Sequence, residues 1–217
     1  MRKAGGIWAG LMTLTGIMVG VLGGLGRAAD PPTVVAAGEW SKAVADARSR
    51  AVRGRLVVGE KVPSADRREV AVYVELQEAS EAIGESLQVY CDVGRSDFRP
   101  EYKGGLRCEL RDKGGQPVKS APFPFGGAVP KSEWLTLPPD GTIRVRSSPF
   151  GISRPKAMAL APDLGGMWVI EDGDANKYTL SGTFTVDPAD GISPPKSGHV
   201  WRGKIELPQV EIVGRKK

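Results

Sequence analysis

The sequence predicts an all-β protein, an antiparallel β-sandwich of about seven to nine strands. Three observations carry that prediction. Apolar residues recur at every second position in most segments after residue 54, the period of a strand with one face buried. Gly and Pro turns separate these runs at short intervals. The alternate faces are polar, so each sheet has one wet side and must bury the other against a second sheet. A closed barrel satisfies the same pattern, and periodicity alone does not separate the two.

The elements follow in chain order. Val70, Val72, Val74 and Leu76 alternate with Ala71, Tyr73, Glu75 and Gln77. Leu87, Val89, Cys91 and Val93 form a second set, and Leu106, Cys108 and Leu110 a third. Asp112-Lys113-Gly114-Gly115 then reads as a tight turn, because glycine tolerates positive φ. A Pro138-Pro139-Asp140-Gly141 turn precedes Ile143 and Val145. Tyr178, Leu180, Gly182, Phe184 and Val186 share one parity. In the last run Trp201, Gly203, Ile205 and Leu207 share a parity, whereas Val210 and Ile212 take the other. Pro208 stands at the change, which predicts a bulge or an edge position there.

Ahead of this region the chain opens with a different composition. Arg2 and Lys3 precede an uncharged run from Gly5 to Gly26, and small residues at Gly26 and Ala28 stand before Ala29-Asp30. That order is expected of a secretory signal over residues 1–28 that forms a signal helix and is cleaved on export. The alternative is a retained membrane anchor, since a spanning helix needs about 20 apolar residues. Eight glycines in the run weaken that alternative. The expected destination is the periplasm, the cell surface or the medium, with membrane contact only through the N-terminal segment if it is uncleaved.

Removal of Arg2, Lys3 and Arg27 lowers the formal charge from +5 to +2. The basic tail at 214–217 supplies Arg215, Lys216 and Lys217, so the body is near neutral and lacks the basic stripe that phosphate binding requires. Nucleic acid is excluded as an expected partner. Residues 29–53 read as a lead-in. Trp40 to Arg48 is rich in helix formers, and Val44, Ala47, Ala51 and Val52 would share the face of a short helix. Trp40 would pin this segment to the sandwich domain at 54–213.

The same order of elements resembles exported bacterial immunoglobulin-like sandwich domains, distantly including the group related to an intracellular proteinase inhibitor. The resemblance rests on Trp40 before Arg53-Gly54-Arg55-Leu56, then Val72-Tyr73-Val74-Glu75-Leu76 with Ala79-Ser80. A Leu106-to-Val118 hairpin and Leu137-Pro138-Pro139-Asp140-Gly141 complete it. It covers roughly residues 53–213 as element order. The chain departs from the family at Gln77-Glu78-Ala79-Ser80, where Asn-x-Ser is usual. The resemblance implies a binding or scaffold module and carries over no active site.

Few residues point to chemistry. Cys91 and Cys108 are the only cysteines, on strands expected to be adjacent and on the inward parity. Export favours a disulfide between them over two buried thiols. With the single histidine, His199, they cannot close a zinc site. His199 has no Gly-x-Ser-x-Gly elbow to serve and is expected as a partly exposed histidine at a loop end, and nothing selects a catalytic pair among the 25 carboxylates. Asp172-Gly173-Asp174-Ala175-Asn176 opens like a calcium loop, but Lys177 and Thr183 stand where Gly and Glu are needed. No cofactor, metal or catalytic residue is therefore expected.

Phe123 and Phe125 in a proline-shaped segment, with Phe150 in a second, form a candidate partner-binding loop region. The competing reading folds these rings back over the ends of the sandwich. Trp134, Trp168 and Trp201 are expected in core or rim packing. The leading functional expectation is an exported, non-catalytic module that binds a protein or envelope component, or adds structure. The alternatives are a hydrolase inhibitor acting through the Phe123–Phe125 loop and an extracellular carbohydrate-active enzyme.

Overall fold

A computed structural model describes residues 33–64, 67–80, 85–91, 105–121, 133–146, 151–152, 157–163, 166–171, 177–187, 193–195 and 197–213. These residues all fall within one compact unit, Pro31–Lys217. They form fourteen strands and no helix. The signal segment, the Phe123–Phe125 loop, Phe150 and the Asp172–Asn176 turn lie outside the described residues.

The largest sheet joins β1 (Thr33–Ala37), β3 (Ala51–Ser64), β4 (Arg67–Glu78) and β8 (Thr142–Arg146) in that order. The short strands β2 (Val44–Ala45) and β9 (Gly151–Ile152) flank β3 and β4. A second sheet has the order β14 (Gly203–Val213), β12 (Lys177–Val186), β6 (Gly105–Arg111). A third runs β13 (His199–Val200), β5 (Leu87–Cys91), β7 (Glu133–Leu137). β10 (Ala157–Asp163) and β11 (Gly166–Glu171) form a hairpin. Every pairing is antiparallel except the two-residue contact of β13 with β5.

The sheets stack in a sandwich-like arrangement that dries the apolar faces of their alternating strands. β14 packs on β3 and β10 on β4. Val52, Leu56, Val72, Leu76, Leu87, Leu110, Leu160, Leu180, Trp201 and Ile205 meet in one buried cluster drawn from all the sheets. The central strand β4 is buried on both faces, since Ala71 and Tyr73 form a second cluster with Val57. Burying one such Leu or Val side chain contributes about 1.5–3 kcal/mol.

The change of parity at Pro208 is a β-bulge. Leu180 pairs with Val210 but Gly182 pairs with Leu207, so Pro208 and Gln209 together face Ser181. The extra residue lets Ile205, Leu207, Val210 and Ile212 all reach the core from one strand. The turn at Asp112 closes as expected, with the Gly115 amide bonded to the Asp112 carbonyl at 2.9 Å and Gly115 at φ 77°.

Two expectations are corrected. The segment read as a short helix contains the strand β2, a turn over Ala47–Ser49, and the start of β3. Local bonds to Asp46, set out below, satisfy its backbone in a hairpin and so outcompete the helix. Cys91 and Cys108 are not joined by a disulfide. Their strands are not neighbours: β5 lies between β13 and β7, whereas β6 pairs with β12. Across the sheet from Cys108 stands Gly182, and a Cβ placed there would come within 3.1 Å of the Cys108 sulfur. The thiol thus fills the space that glycine leaves, with no second cysteine opposite.

Candidate functional site

The only histidine of the sequence is buried, and it closes a polar clasp between the two ends of the described chain. One side of the clasp is the hairpin loop between β2 and β3. The Asp46 amide bonds to the Arg50 carbonyl at 3.0 Å, and the Ser49 amide to the Asp46 carbonyl at 3.0 Å. Asp46 Oδ1 accepts the Arg48 and Arg50 amides at 2.9 and 3.0 Å. Ser49 takes φ 62° to complete the turn, the geometry of a three-residue hairpin loop.

The other side is β13. The His199 amide donates to the Ser86 carbonyl at 2.9 Å, and the Trp201 amide to the Gln88 carbonyl at 3.0 Å. Residues two apart on an extended chain share a face, so His199 and Trp201 both reach the hairpin. Trp201 is fully buried, and its indole Nε1 donates to the carbonyls of Val44 and Arg50 at 3.3 and 3.1 Å. His199 Nε2 donates to Asp46 Oδ2 in a short hydrogen bond. Arg48 Nη1 lies 3.4 Å from His199 Nδ1.

These partners assign the tautomer. A guanidinium can only donate, so Nδ1 accepts from Arg48 and Nε2 carries the proton shared with Asp46. Burial raises the Asp46 carboxyl, but the His199 bond and the two backbone amides outweigh it and hold the group below the ordinary aspartate range. Both ring nitrogens are therefore engaged. In a hydrolase triad the carboxylate orients one nitrogen while the other takes a proton from the nucleophile. Here Arg48 Nη1 stands at that second position.

A second layer surrounds it. Arg50 Nε donates to Glu78 Oε1 at 2.8 Å, and the Ser80 hydroxyl donates to the same oxygen at 2.6 Å. Arg50 also donates to the Glu85 carbonyl, while Glu85 Oε1 accepts the Gly198 amide at 3.1 Å. Beside the clasp lies an open recess of about 400 Å³, bordered by Arg48, His199 and Arg202. Asp46 and His199 could supply two metal ligands, but among the described residues no third His, Cys, Asp or Glu joins them.

The sequence marks His199 only as a partly exposed loop-end residue, which its burial corrects, and gives no sign of its partners. Asp46 lies 153 positions away, and Asp-Ala-Arg-Ser lacks the glycine that usually advertises such a turn. The expected tryptophans are placed in packing roles. Trp168 is buried with Nε1 donating to the Val118 carbonyl at 2.9 Å, and Trp134 tilts against Tyr90 with centroids 5.1 Å apart. Trp40 is half-buried beneath the guanidiniums of Arg53 and Arg55, at 5.2 and 4.6 Å from its ring.

No protein-family model, curated protein or solved structure matches this chain.

Proposed function

We propose that this protein is an exported, non-catalytic β-sandwich module with a structural or binding role at the cell envelope. The observation that carries the reading is the state of its single histidine. His199 spends one ring nitrogen on Asp46 and meets Arg48 with the other, so the strongest general base available near neutral pH is engaged as a structural tie. The uncharged N-terminal run supports export. The resemblance to exported immunoglobulin-like domains supports a binding or scaffold role in preference to turnover.

Two measurements test it together. The full chain, expressed with a C-terminal tag, is fractionated and the mass of the exported form determined. Recovery outside the cytosol with residues 1–28 removed is expected, and retention inside the cell at full mass would overturn export. The purified protein is also treated with a serine-reactive fluorophosphonate. Absence of labelling is expected, and labelling abolished by His199→Gln would overturn the non-catalytic reading.

A further inference from the structure

The outer face of β3, β4 and β8 carries more cation than its carboxylates neutralise. Strand register places Arg53 beside Gln77, and Arg55 beside Glu75, which in turn pairs with Arg144. Glu75 is buried and accepts from both neighbours, at 2.7 Å from Arg55 Nε and 2.8 Å from Arg144 Nε. Burial raises its carboxyl, but the two arginines outweigh that and hold it below the ordinary glutamate range. Arg53 has only the neutral Gln77 Oε1 to bond, at 2.9 and 2.6 Å. Where side chains are described on this face, the three guanidiniums of Arg53, Arg55 and Arg144 share one carboxylate, that of Glu75.

Trp40 turns this excess into a shaped surface. Its position is fixed because the Ser41 amide donates to the Gly54 carbonyl at 2.9 Å, and the Gly54 amide donates back to the Ser41 hydroxyl at 3.0 Å. The ring is half-buried under Arg53 and Arg55. The side chains of Arg55 and Arg144 are 31% and 35% exposed, so both remain reachable. Cα positions two apart on a strand are separated by about 6.6 Å, and alternate strands by about 9.6 Å.

Charge complementarity selects a polymer with well-spaced anions. Duplex nucleic acid carries one charge per ~1.7 Å of axis, far denser than the guanidiniums described on this face can match. A flat aromatic ring held against cations suits a saccharide ring bearing a carboxylate. We propose that this face docks a segment of an acidic polysaccharide, its carboxylates on Arg53, Arg55 and Arg144 and a sugar ring beside Trp40. The proposal rests on the reading of the protein as an envelope-binding module and names the class of its ligand.

The probe is a galacturonic acid hexamer titrated calorimetrically into the purified protein, with neutral dextran oligomers as control. Saturable binding is expected to the hexamer only. With three anion contacts, affinity should weaken about twentyfold between 50 and 200 mM salt. Arg53→Glu should weaken binding at least tenfold, and it strands no carboxylate because Arg53 has none. Should that variant melt early, Arg53→Gln carries the comparison. No saturable binding at 20 mM salt, equal binding by the folded variant, or equal affinity for oligo-dT or polyglutamate would each overturn the proposal. An exported protein that ignores the hexamer sinks only this inference, whereas a cytosolic protein that binds it sinks only the export reading.

Discussion

Among the described residues the same hairpin loop is built twice, once at Asp46–Arg50 and once at Asp112–Gln116. In the second copy Asp112 Oδ1 accepts the Gly114 and Gln116 amides at 2.8 and 2.9 Å. The Asp112 amide donates to the Gln116 carbonyl at 2.9 Å, matching the Asp46–Arg50 closure. Two differences separate them. The residue in the left-handed region is Gly115 in one loop and Ser49 in the other. The Asp112 loop is largely exposed, while Asp46 adds a bond from buried His199 and the Arg50 carbonyl of the same loop accepts from buried Trp201. An isolated turn must therefore carry its own conformational ease, whereas a turn gripped by distant residues can tolerate a strained one.

The largest expected effect comes from removing the grip. Trp201→Ala should cost about 3–5 kcal/mol, because it empties a fully buried site and removes the indole bonds to the Val44 and Arg50 carbonyls. Chemical denaturation reads this as a lowered midpoint, and hydrogen exchange should rise at Arg48 and Arg50 ahead of Gly114 and Gln116. Equal protection in both loops would break the comparison.

Alanine at the two aspartates comes next. Asp46→Ala should cost about 2 kcal/mol, since it strips two amides of their acceptor and leaves the His199 N–H buried without a partner. Asp112→Ala should cost about 0.5–1 kcal/mol, the ordinary value of an exposed side-chain cap. Equal losses by thermal melting would show that His199 adds nothing to the first loop.

Acid should separate the loops as well. Asp46 is held below its ordinary value, so its contribution is complete above about pH 4 and is lost as pH falls further through the folded value. Glu75 follows the same sign on the outer face. Stability measured downward from pH 5 should fall less steeply in Asp46→Ala than in the parent. An unchanged acid slope would refute the tie to His199.

The smallest effect exchanges the left-handed residues. Ser49→Gly should stabilise by up to about 1 kcal/mol, and Gly115→Ser should destabilise by a similar amount. Opposite signs in equilibrium unfolding would mean that the two loops do not share one backbone.

These loops also mark how far the sequence was legible. Asp112-Lys113-Gly114-Gly115 reads as a turn because glycine announces positive φ. Asp46-Ala47-Arg48-Ser49 reads as helix because its composition favours one and its tertiary grip is invisible. The alternations of β6, β12 and β14 were readable, as was the bulge at Pro208, because each has one face toward the core, and that of β4 because its second buried face carries the polar Glu75 and Gln77 beside Ala71 and Tyr73. β5 was only half readable: Gln88 and Tyr90 are buried along with Leu87, Val89 and Cys91, since this strand has neighbours on both edges and Gln88 bonds to Thr136 at 3.1 Å. The cysteine pairing failed for a related reason. Strands successive in sequence need not be neighbours in a sheet, and the separation of Cys91 from Cys108 spans a change of sheet.

The bulge at Pro208 has a consequence beyond packing. β14 is the margin of its sheet, where a run of unmet amides invites another molecule to add a strand. Proline supplies no amide hydrogen, and the two-against-one mismatch sharpens the local twist. A newcomer can match only a few positions before losing step, so this margin resists the self-templated stacking that seeds fibres.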